Sequence, residues 1–345
     1  MAYDLDEDQF EIEPIKNGLI NQTWRLKNSH ADYILQKINS AVFKQPPAIA
    51  SNLKVLADYL SQHAPDYLFV VPIQTKTNEG MTFIRGKGYF RLSPFVKKSH
   101  TINAAQTPGQ AFEAAKEFGK FSRLLSHFPV EKLQITLPDF HNLSLRYHQF
   151  SEALIKGNRD RIEQSGKLIR FIREHKHIAE TYDAILTNPE FRLRVTHHDT
   201  KISNVLFDGE DKGLCVIDLD TVMPGYFISD VGDMIRTYLS PATEEEKDFD
   251  KIEIRDEYFL AIWNGYMSEM KDELTATERK HFIYAGQFMI YMQAIRFLTD
   301  HLNNDEYYGA AYEDNNLVRA GNQISLLKKL MDKEETLQKL ILPIF

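Results

Sequence analysis

The stretch from Thr196 to Asp220 narrows most what this chain can become. It reads Thr196-His197-His198-Asp199-Thr200-Lys201-Ile202-Ser203-Asn204-Val205-Leu206-Phe207-Asp208, and after a polar turn Leu214-Cys215-Val216-Ile217-Asp218-Leu219-Asp220. Two short apolar runs, Val205 to Phe207 and Leu214 to Ile217, flank Asp208-Gly209-Glu210-Asp211-Lys212-Gly213, which predicts a β-hairpin. Such a hairpin brings Asn204 and Asp218 to neighbouring strand ends and leaves Asp199 on the loop just before. Two carboxylates and an amide facing one pocket suit phosphoryl transfer. One acid takes or orients a hydroxyl proton, while the amide oxygen and the other acid supply hard oxygen ligands for Mg²⁺.

A blander account exists for each piece. An Asp-to-Asn spacing of five is common by chance, and an Asp after a strand most often caps a helix or sits in a turn. The pieces in this order, with the hairpin intact, outweigh it. Metal-dependent hydrolysis is the weaker reading: His197 and His198 are adjacent, so they point apart on an extended chain, and no helical His-x-x-x-His pair occurs. The spacing His-x-Asp-x4-Asn, then an apolar strand ending in Asp, is the catalytic-loop and metal-loop pattern of the protein-kinase-like fold.

A chain of 345 residues suggests two domains or one domain with lobes. Its formal net charge of -8 argues against a nucleic-acid partner, which needs a positive footprint. The single cysteine, Cys215, excludes an internal disulfide framework and fits a reducing compartment. It reads as a small buried apolar residue, not as a nucleophile. The acidic start, Met1 to Asp8, lacks the basic and apolar regions of a signal peptide. No apolar run approaches the roughly 20 residues that span a bilayer. The expected location is the cytoplasm, with no membrane association, and no protein partner is implied.

In order, the chain predicts strands at Ile12 to Ile15, Trp24 to Leu26, Tyr33 to Ile38, Phe69 to Pro72 and Thr82 to Ile84. A helix over 47–63 lies among them, with Ile49, Leu53, Leu56 and Leu60 on one face. Asn17-Gly18 between the first two strands is a hairpin signal. In a kinase this turn would cover the nucleotide phosphates, although no G-x-G-x-x-G is present. A basic residue on the third strand would meet the phosphates; the position is Gln36 or Lys37. The helix contains no Glu for the usual Lys–Glu pair, and an uncharged pair such as Gln36 and Asn52 is one substitute. The strand Gly88 to Pro94 breaks at Ser93-Pro94, because proline fixes φ and offers no N–H. That break marks a lobe boundary: 1–93 as the nucleotide-binding lobe and 94–345 as the catalytic and acceptor-binding lobe.

Helical periodicity starts near Pro108 and resumes over 143–154 and, as one helix, 159–186. Asp230 and Asp233 lie at a helix start, where acids cap amides; Asp230 reads as scaffolding that braces the loop of Asp199. The segment 278–301 is apolar nearly all round and should be buried. It carries Arg296, which needs a carboxylate, a ligand oxygen or a cavity wall, since an unpaired buried charge is costly. The tail helix, 322–340, reads as packing.

Together these features resemble the aminoglycoside phosphotransferase and choline kinase superfamily over nearly the whole chain. Narrower runs are similar to the N-acetylhexosamine 1-kinases: Asn17-Gly18-Leu19-Ile20-Asn21-Gln22-Thr23, Tyr33-Ile34-Leu35-Gln36-Lys37-Ile38-Asn39, Thr196-His197-His198-Asp199-Thr200-Lys201, Asp218-Leu219-Asp220-Thr221-Val222-Met223-Pro224-Gly225 and Arg296-Phe297-Leu298-Thr299-Asp300. The resemblance implies an α+β, protein-kinase-like two-lobe fold, with a small antiparallel-sheet N-lobe and a larger mainly helical C-lobe. It implies ATP- and Mg²⁺-dependent phosphorylation of the anomeric hydroxyl of N-acetylglucosamine or N-acetylgalactosamine. By position, Asp199 is the base, Asn204 and Asp218 are metal ligands, and Arg296 and Tyr307 bind the sugar with Asp199. Gly18, Gln36 or Lys37, and Ser93 with Phe95 at the strand break, are the nucleotide contacts. His198 stands where relatives often have Gly or Asn.

Two rivals follow from the same residues. One keeps the fold but takes another small hydroxyl acceptor of choline, homoserine or aminoglycoside type; Asp300, Asp305 and Glu306 near Tyr307 suit an amine. The other is a non-catalytic nucleotide-binding module, favoured by the missing Glu and the sparse glycines, and opposed by intact Asp199, Asn204 and Asp218.

Overall fold

The computed structural model describes residues 2–5, 10–15, 20–28 and 31–341. Gly18 and its neighbour Asn17 lie outside the described residues. The first part of the chain is a sheet with one long helix. Strands β1 (Glu11–Ile15), β2 (Gln22–Lys27) and β3 (Asp32–Lys37) precede helix α1 (Pro46–His63), and β4 (Thr82–Ile84) and β5 (Gly88–Pro94) follow it. The strands make one antiparallel five-stranded sheet in the order β1-β2-β3-β5-β4. Residues 69–72, expected as a strand, are not one. Pro72 has no N–H to give, and the bond to the sheet is made just beyond the segment, by the Ile73 amide, which donates to the Leu92 carbonyl at 2.7 Å.

The rest is mainly helical: α2 (Pro108–Leu124), α3 (Leu143–Lys156), α4 (Arg159–Gln164), α5 (Gly166–Glu174) and α6 (His177–Thr187) come first. Three helices thus occupy 159–186 where one was expected. Gly166 is a poor helix former, and His175 ends α5 by bonding its ring to the Phe171 carbonyl at 2.8 Å. Four short strands follow: β6 (Arg194–Thr196), β7 (Val205–Phe207), β8 (Gly213–Val216) and β9 (Met223–Gly225). Sequence reading anticipated the β7–β8 hairpin but not the two-stranded β6–β9 ladder.

Helices α7 (Phe227–Tyr238), α8 (Asp256–Met270), α9 (Ala276–Lys280), α10 (Phe282–Leu302), α11 (Asn315–Asp332) and α12 (Glu334–Ile341) complete the chain. The run 278–301 is broken at His281, and the tail is broken at Lys333. Helix α10 is buried on almost every side, as its composition required, against α3, α7 and α11. Helix α7 approaches it backbone to backbone at a glycine: a Cβ on Gly232 would meet the Ala285 carbonyl oxygen at 2.3 Å. No helix of the described residues is long and apolar enough to cross a membrane.

Candidate active site

The loop between β6 and β7 and the turn after β8 converge. Val205 pairs with Val216, and the Ile217 amide donates to the Asn204 carbonyl at 2.8 Å, so the hairpin sets Asn204 beside Asp218. Asn204 Nδ2 donates to Asp199 Oδ2 at 3.0 Å and to the Asp199 carbonyl at 2.9 Å. Lys201 Nζ lies 3.2 Å from the same Oδ2. Burial disfavours the Lys201 charge, but the carboxylates of Asp199, Asp233 and Asp218 outweigh it and raise its pKa. Asp199, Asn204 and Asp218 therefore share one place, as the hairpin predicted.

Asp218 has φ of 58°, in the left-handed region that a non-glycine residue enters only when its surroundings hold it there. Its side chain opens to solvent, while the protein packed around it and the carboxylates of Asp220 and Asp199 push its pKa up to about 7. Arg91 and Lys201 act the other way. Such carboxylate crowding favours a cation, and the Asn204 amide, whose nitrogen is committed to Asp199, leaves its oxygen available. No group of three or more His, Cys, Asp or Glu among the described residues is arranged to hold a metal. Magnesium commonly takes one or two carboxylates and completes its shell with phosphate oxygens and water. Asn204 and Asp218 fit that donor set.

The loop is held by α7. Asp230 accepts the amides of His197 at 3.0 Å and His198 at 2.7 Å. Asp233 accepts the Thr200 amide at 2.9 Å and pairs with Arg236. The Thr200 hydroxyl donates to the Asp230 carbonyl at 2.7 Å. Both acids are buried, and burial raises their pKa values, that of Asp230 to about 7. Asp230 thus braces the loop rather than capping its own helix. His197 completes the frame: Nε2–H donates to the Ile217 carbonyl at 2.9 Å, and Nδ1 accepts the Asp199 amide at 3.3 Å. These partners define its tautomer. His198, with φ of 67°, fits only because residue 225 has no side chain, since a Cβ there would meet its Cε1 at 2.5 Å.

The first sheet faces this loop with one side. Gln36 lies opposite Thr23 on β2 and opposite Arg91 on β5, so these three share a face. By strand alternation Ser93 joins them, and Lys37 turns to the other face. Arg91 Nε donates to Gln36 Oε1 at 2.9 Å, and Nη1 pairs with Asp220 Oδ1 in a buried ion pair. The other Asp220 oxygen accepts Asn21 Nδ2 at 2.7 Å. Asn52 does not pair with Gln36. Its amide group is consumed by backbone, donating to the Gln134 and Val222 carbonyls and accepting the Gln134 amide. At the strand end the Phe95 amide donates to the Asp32 carbonyl at 3.0 Å, and the Arg25 guanidinium lies 3.9 Å from the Phe95 ring centroid.

Arg296 and Tyr307 meet at a separate cavity of about 340 Å³ between α3 and α10, which Arg146, Gln149, Asn303 and Tyr308 also line. The Arg296 guanidinium lies 5.8, 5.9 and 5.4 Å from the rings of Phe140, Tyr307 and Tyr308. At that range the ring faces attract the cation. Its hydrogen bond goes to Gln293 at 3.0 Å, and no carboxylate of the described residues pairs with it. The cavity wall, not a salt bridge, is how this arginine is accommodated. The cavity connects to the loop through aromatics: Phe140 stacks on His141 at 4.4 Å, and His141 Nδ1 lies 3.4 Å from His198 Nδ1. Burial, His198 and Arg296 together hold the His141 pKa well below its ordinary value.

The model of the phosphotransferase enzyme family, APH, matches residues 11–260, most of the chain. The protein belongs to that family. Solved structures share the fold. A microcompartment-associated aminopropanol kinase is 14% identical, with 97% of this chain and 95% of that one covered at a TM-score of 0.66. An amicoumacin kinase in complex with AMP-PNP and Ca²⁺ is 14% identical over 96% and 90%, at 0.63. An ethanolamine kinase from Plasmodium vivax is 14% identical over 95% and 85%, at 0.58. The chain therefore has the α+β, protein-kinase-like two-lobe fold of this family, with its small antiparallel sheet and larger helical lobe.

Sequence reading did not single out Arg91, Arg146, Phe140 or His141. An arginine among the apolar residues of Tyr89-Phe90-Arg91-Leu92 was a usable signal, because a charge inside an apolar strand needs an acid across from it. No comparable signal marked Phe140 and His141, which lie in an irregular segment.

Proposed function

We propose that the protein is an ATP- and Mg²⁺-dependent small-molecule kinase that phosphorylates the anomeric hydroxyl of an N-acetylhexosamine to give the sugar 1-phosphate. The observation that carries this reading is the convergence of Asp199, Asn204 and Asp218. Asp199 accepts or orients the proton of the acceptor hydroxyl. That oxygen bonds to the γ-phosphorus as the bond to ADP breaks. A hemiacetal hydroxyl is a better acid than an ordinary alcohol, so positioning in line with the phosphate accounts for most of the acceleration. Mg²⁺, held by Asn204 and Asp218, would supply charge neutralisation on the phosphates.

The nucleotide would lie against the face of Gln36 and Ser93, with the chain crossing between lobes at residues 93 and 94. Phe95 offers its carbonyl to the adenine edge, since its amide is already engaged. Lys37, on the other face, is the weaker of the two β3 candidates. A family structure in complex with AMP-PNP and Ca²⁺ supports the nucleotide reading.

The acceptor would occupy the cavity of Arg296 and Tyr307. An amine acceptor is the runner-up, and two of the three acids near Tyr307 are committed. Asp300 accepts the amides of Tyr307 at 2.7 Å and Tyr308 at 2.9 Å, and Asp305 pairs with Arg161 at 2.6 Å. The cavity presents Arg146 and Arg296, while its Glu152 pairs with Lys156 at 3.1 Å, and the arginines' fork of donors suits hydroxyl and acetamide oxygens. The choice of N-acetylhexosamine rests on the resemblance of the runs quoted above. The test is ³¹P NMR of ATP, Mg²⁺ and N-acetylglucosamine or N-acetylgalactosamine with the protein. A phosphate coupled to the anomeric proton is expected. Transfer only to amino alcohols would select the runner-up, and thermal stabilisation by ATP without any transfer would select a non-catalytic module.

A further inference from the structure

We propose that Arg91 is the cation that binds the nucleotide's phosphates, reaching from β5 into the space a lysine on β3 would otherwise fill. The proposal rests on the nucleotide reading above and adds a residue to it.

The β3 position on the cleft face is Gln36, which carries no charge. Its cross-strand partner in the ladder is Arg91, so the guanidinium enters the same space from the neighbouring strand. Arg91 is 4% exposed, held by Gln36 through Nε and by Asp220 through Nη1. Its Nη2 carries no hydrogen bond to a described residue. The guanidinium is thus oriented by two partners and retains donors. Arginine presents those donors in a fixed fork that matches phosphate oxygens.

Direction along the sheet distinguishes Arg91 from the other arginine on this face. Arg25, opposite Ile34, is bound to Asp32 and stacked on Phe95 at the strand end, where the base would lie. Arg91 lies at the other end, tied to an acid only two residues from Asp218. A triphosphate running from the Phe95 end of this face towards Asp218 would pass beside Arg91, which is tied to Asp220.

The acid partner is displaced in the same way. Helix α1 offers no glutamate, and its buried Asn52 is consumed by backbone, so the counter-charge comes from Asp220. Both Asp220 oxygens are occupied, by Arg91 and by Asn21. One carboxylate of Asp218-Leu219-Asp220 thus fixes the phosphate-binding cation, while the other stays open to the metal.

Isothermal titration of ATP, ADP and adenosine, with Mg²⁺, would test this on the native chain, on Arg91→Lys and on the double variant Arg91→Gln/Asp220→Asn. The double variant leaves no unpaired buried charge, so its fold is protected, and thermal melting checks that. ATP and ADP should bind about tenfold more weakly or worse in the double variant, with a smaller loss in Arg91→Lys. Adenosine, which has no phosphate, should bind as in the native chain. Equal weakening of ATP and adenosine would assign Arg91 a structural role only and overturn the proposal, as would unchanged ATP affinity. No ATP binding by the native chain would overturn the nucleotide reading itself.

Discussion

Asn204 Nδ2 lies 3.0 Å from Asp199 Oδ2, so the side chain proposed to hold the metal also sets the direction of the carboxylate proposed as base. The two functions are mechanically linked through one amide. Asn204→Ala should therefore raise the Mg²⁺ concentration needed for half-maximal rate by about 10–100-fold and lower the rate at saturating metal as well. A variant whose full rate returned with excess Mg²⁺ would leave Asn204 only the first of these roles.

Asp199→Asn keeps the shape but cannot take a proton. Turnover should fall by roughly 10²–10⁴-fold or more. Nucleotide affinity, measured by titration calorimetry, should survive, because the proposed role of Asp199 is towards the acceptor. Near-native turnover would remove Asp199 from the role of base.

Gly225→Ala should damage the site without touching a catalytic group. The new methyl would meet His198 Cε1 at 2.5 Å, His198 Nε2 at 2.7 Å and Thr196 Oγ1 at 2.9 Å. Displacing a buried ring that Asp230 fixes through its amide should cost about 1–3 kcal/mol and reduce activity sharply. Gly209→Ala, on the hairpin turn with nothing within 4 Å, is the control and should be close to neutral in urea unfolding.

Burial lowers the His198 pKa from 6.5 to about 4. The folded chain then binds fewer protons there than the unfolded chain between those values. His198 accordingly contributes stability that is complete above about pH 6.5 and is lost as pH falls towards 4, a gap of roughly 3 kcal/mol. Asp230, raised to about 7, works in the opposite sense, since its folded pKa exceeds the unfolded one and stability declines as pH rises through that window. The native pH profile is therefore flattened. Subtracting the profile of His198→Asn, a residue that tolerates positive φ, isolates the histidine. The native chain should lose stability relative to the variant from pH 7 to pH 4; a flat difference in urea midpoints would show that His198 is not desolvated.

Arg296→Lys should raise the acceptor KM by about tenfold or more and leave the ATP KM unchanged, because lysine cannot reproduce the planar fork or its stacking among Phe140, Tyr307 and Tyr308. Equal changes in both KM values would place Arg296 outside the acceptor site.

Local chemistry already carried much of this protein. The hairpin after Asn204 was legible because apolar runs, turn residues and strand length all act over a few neighbours, and α10 because a helix apolar on every side has nowhere to go but inside. The place of Asp230 at a helix start pointed to an acid that satisfies backbone amides, and the amides it accepts are those of the loop at His197 and His198. The breaks within 159–186 and at His281 were not, because a single ring or glycine ends a helix only if the surrounding packing offers something better than the next turn. Residues 69–72 looked like a strand but lie where the sheet is met only at the following residue, through the Ile73 amide.

What the amino-acid order determined alone was the set of groups in the candidate catalytic loop and their spacing, since Asp199, Asn204 and Asp218 lie within one local hairpin and its preceding loop. Only the tertiary structure decided which charge faces which. Arg91 and Asp220 are 129 positions apart, and Arg296 on α10 lies 5.8 Å from the ring of Phe140, in the irregular segment before α3. Such pairs form because a buried charge must find an opposite charge or an aromatic face wherever the fold provides one, and no periodicity along the chain records where that will be.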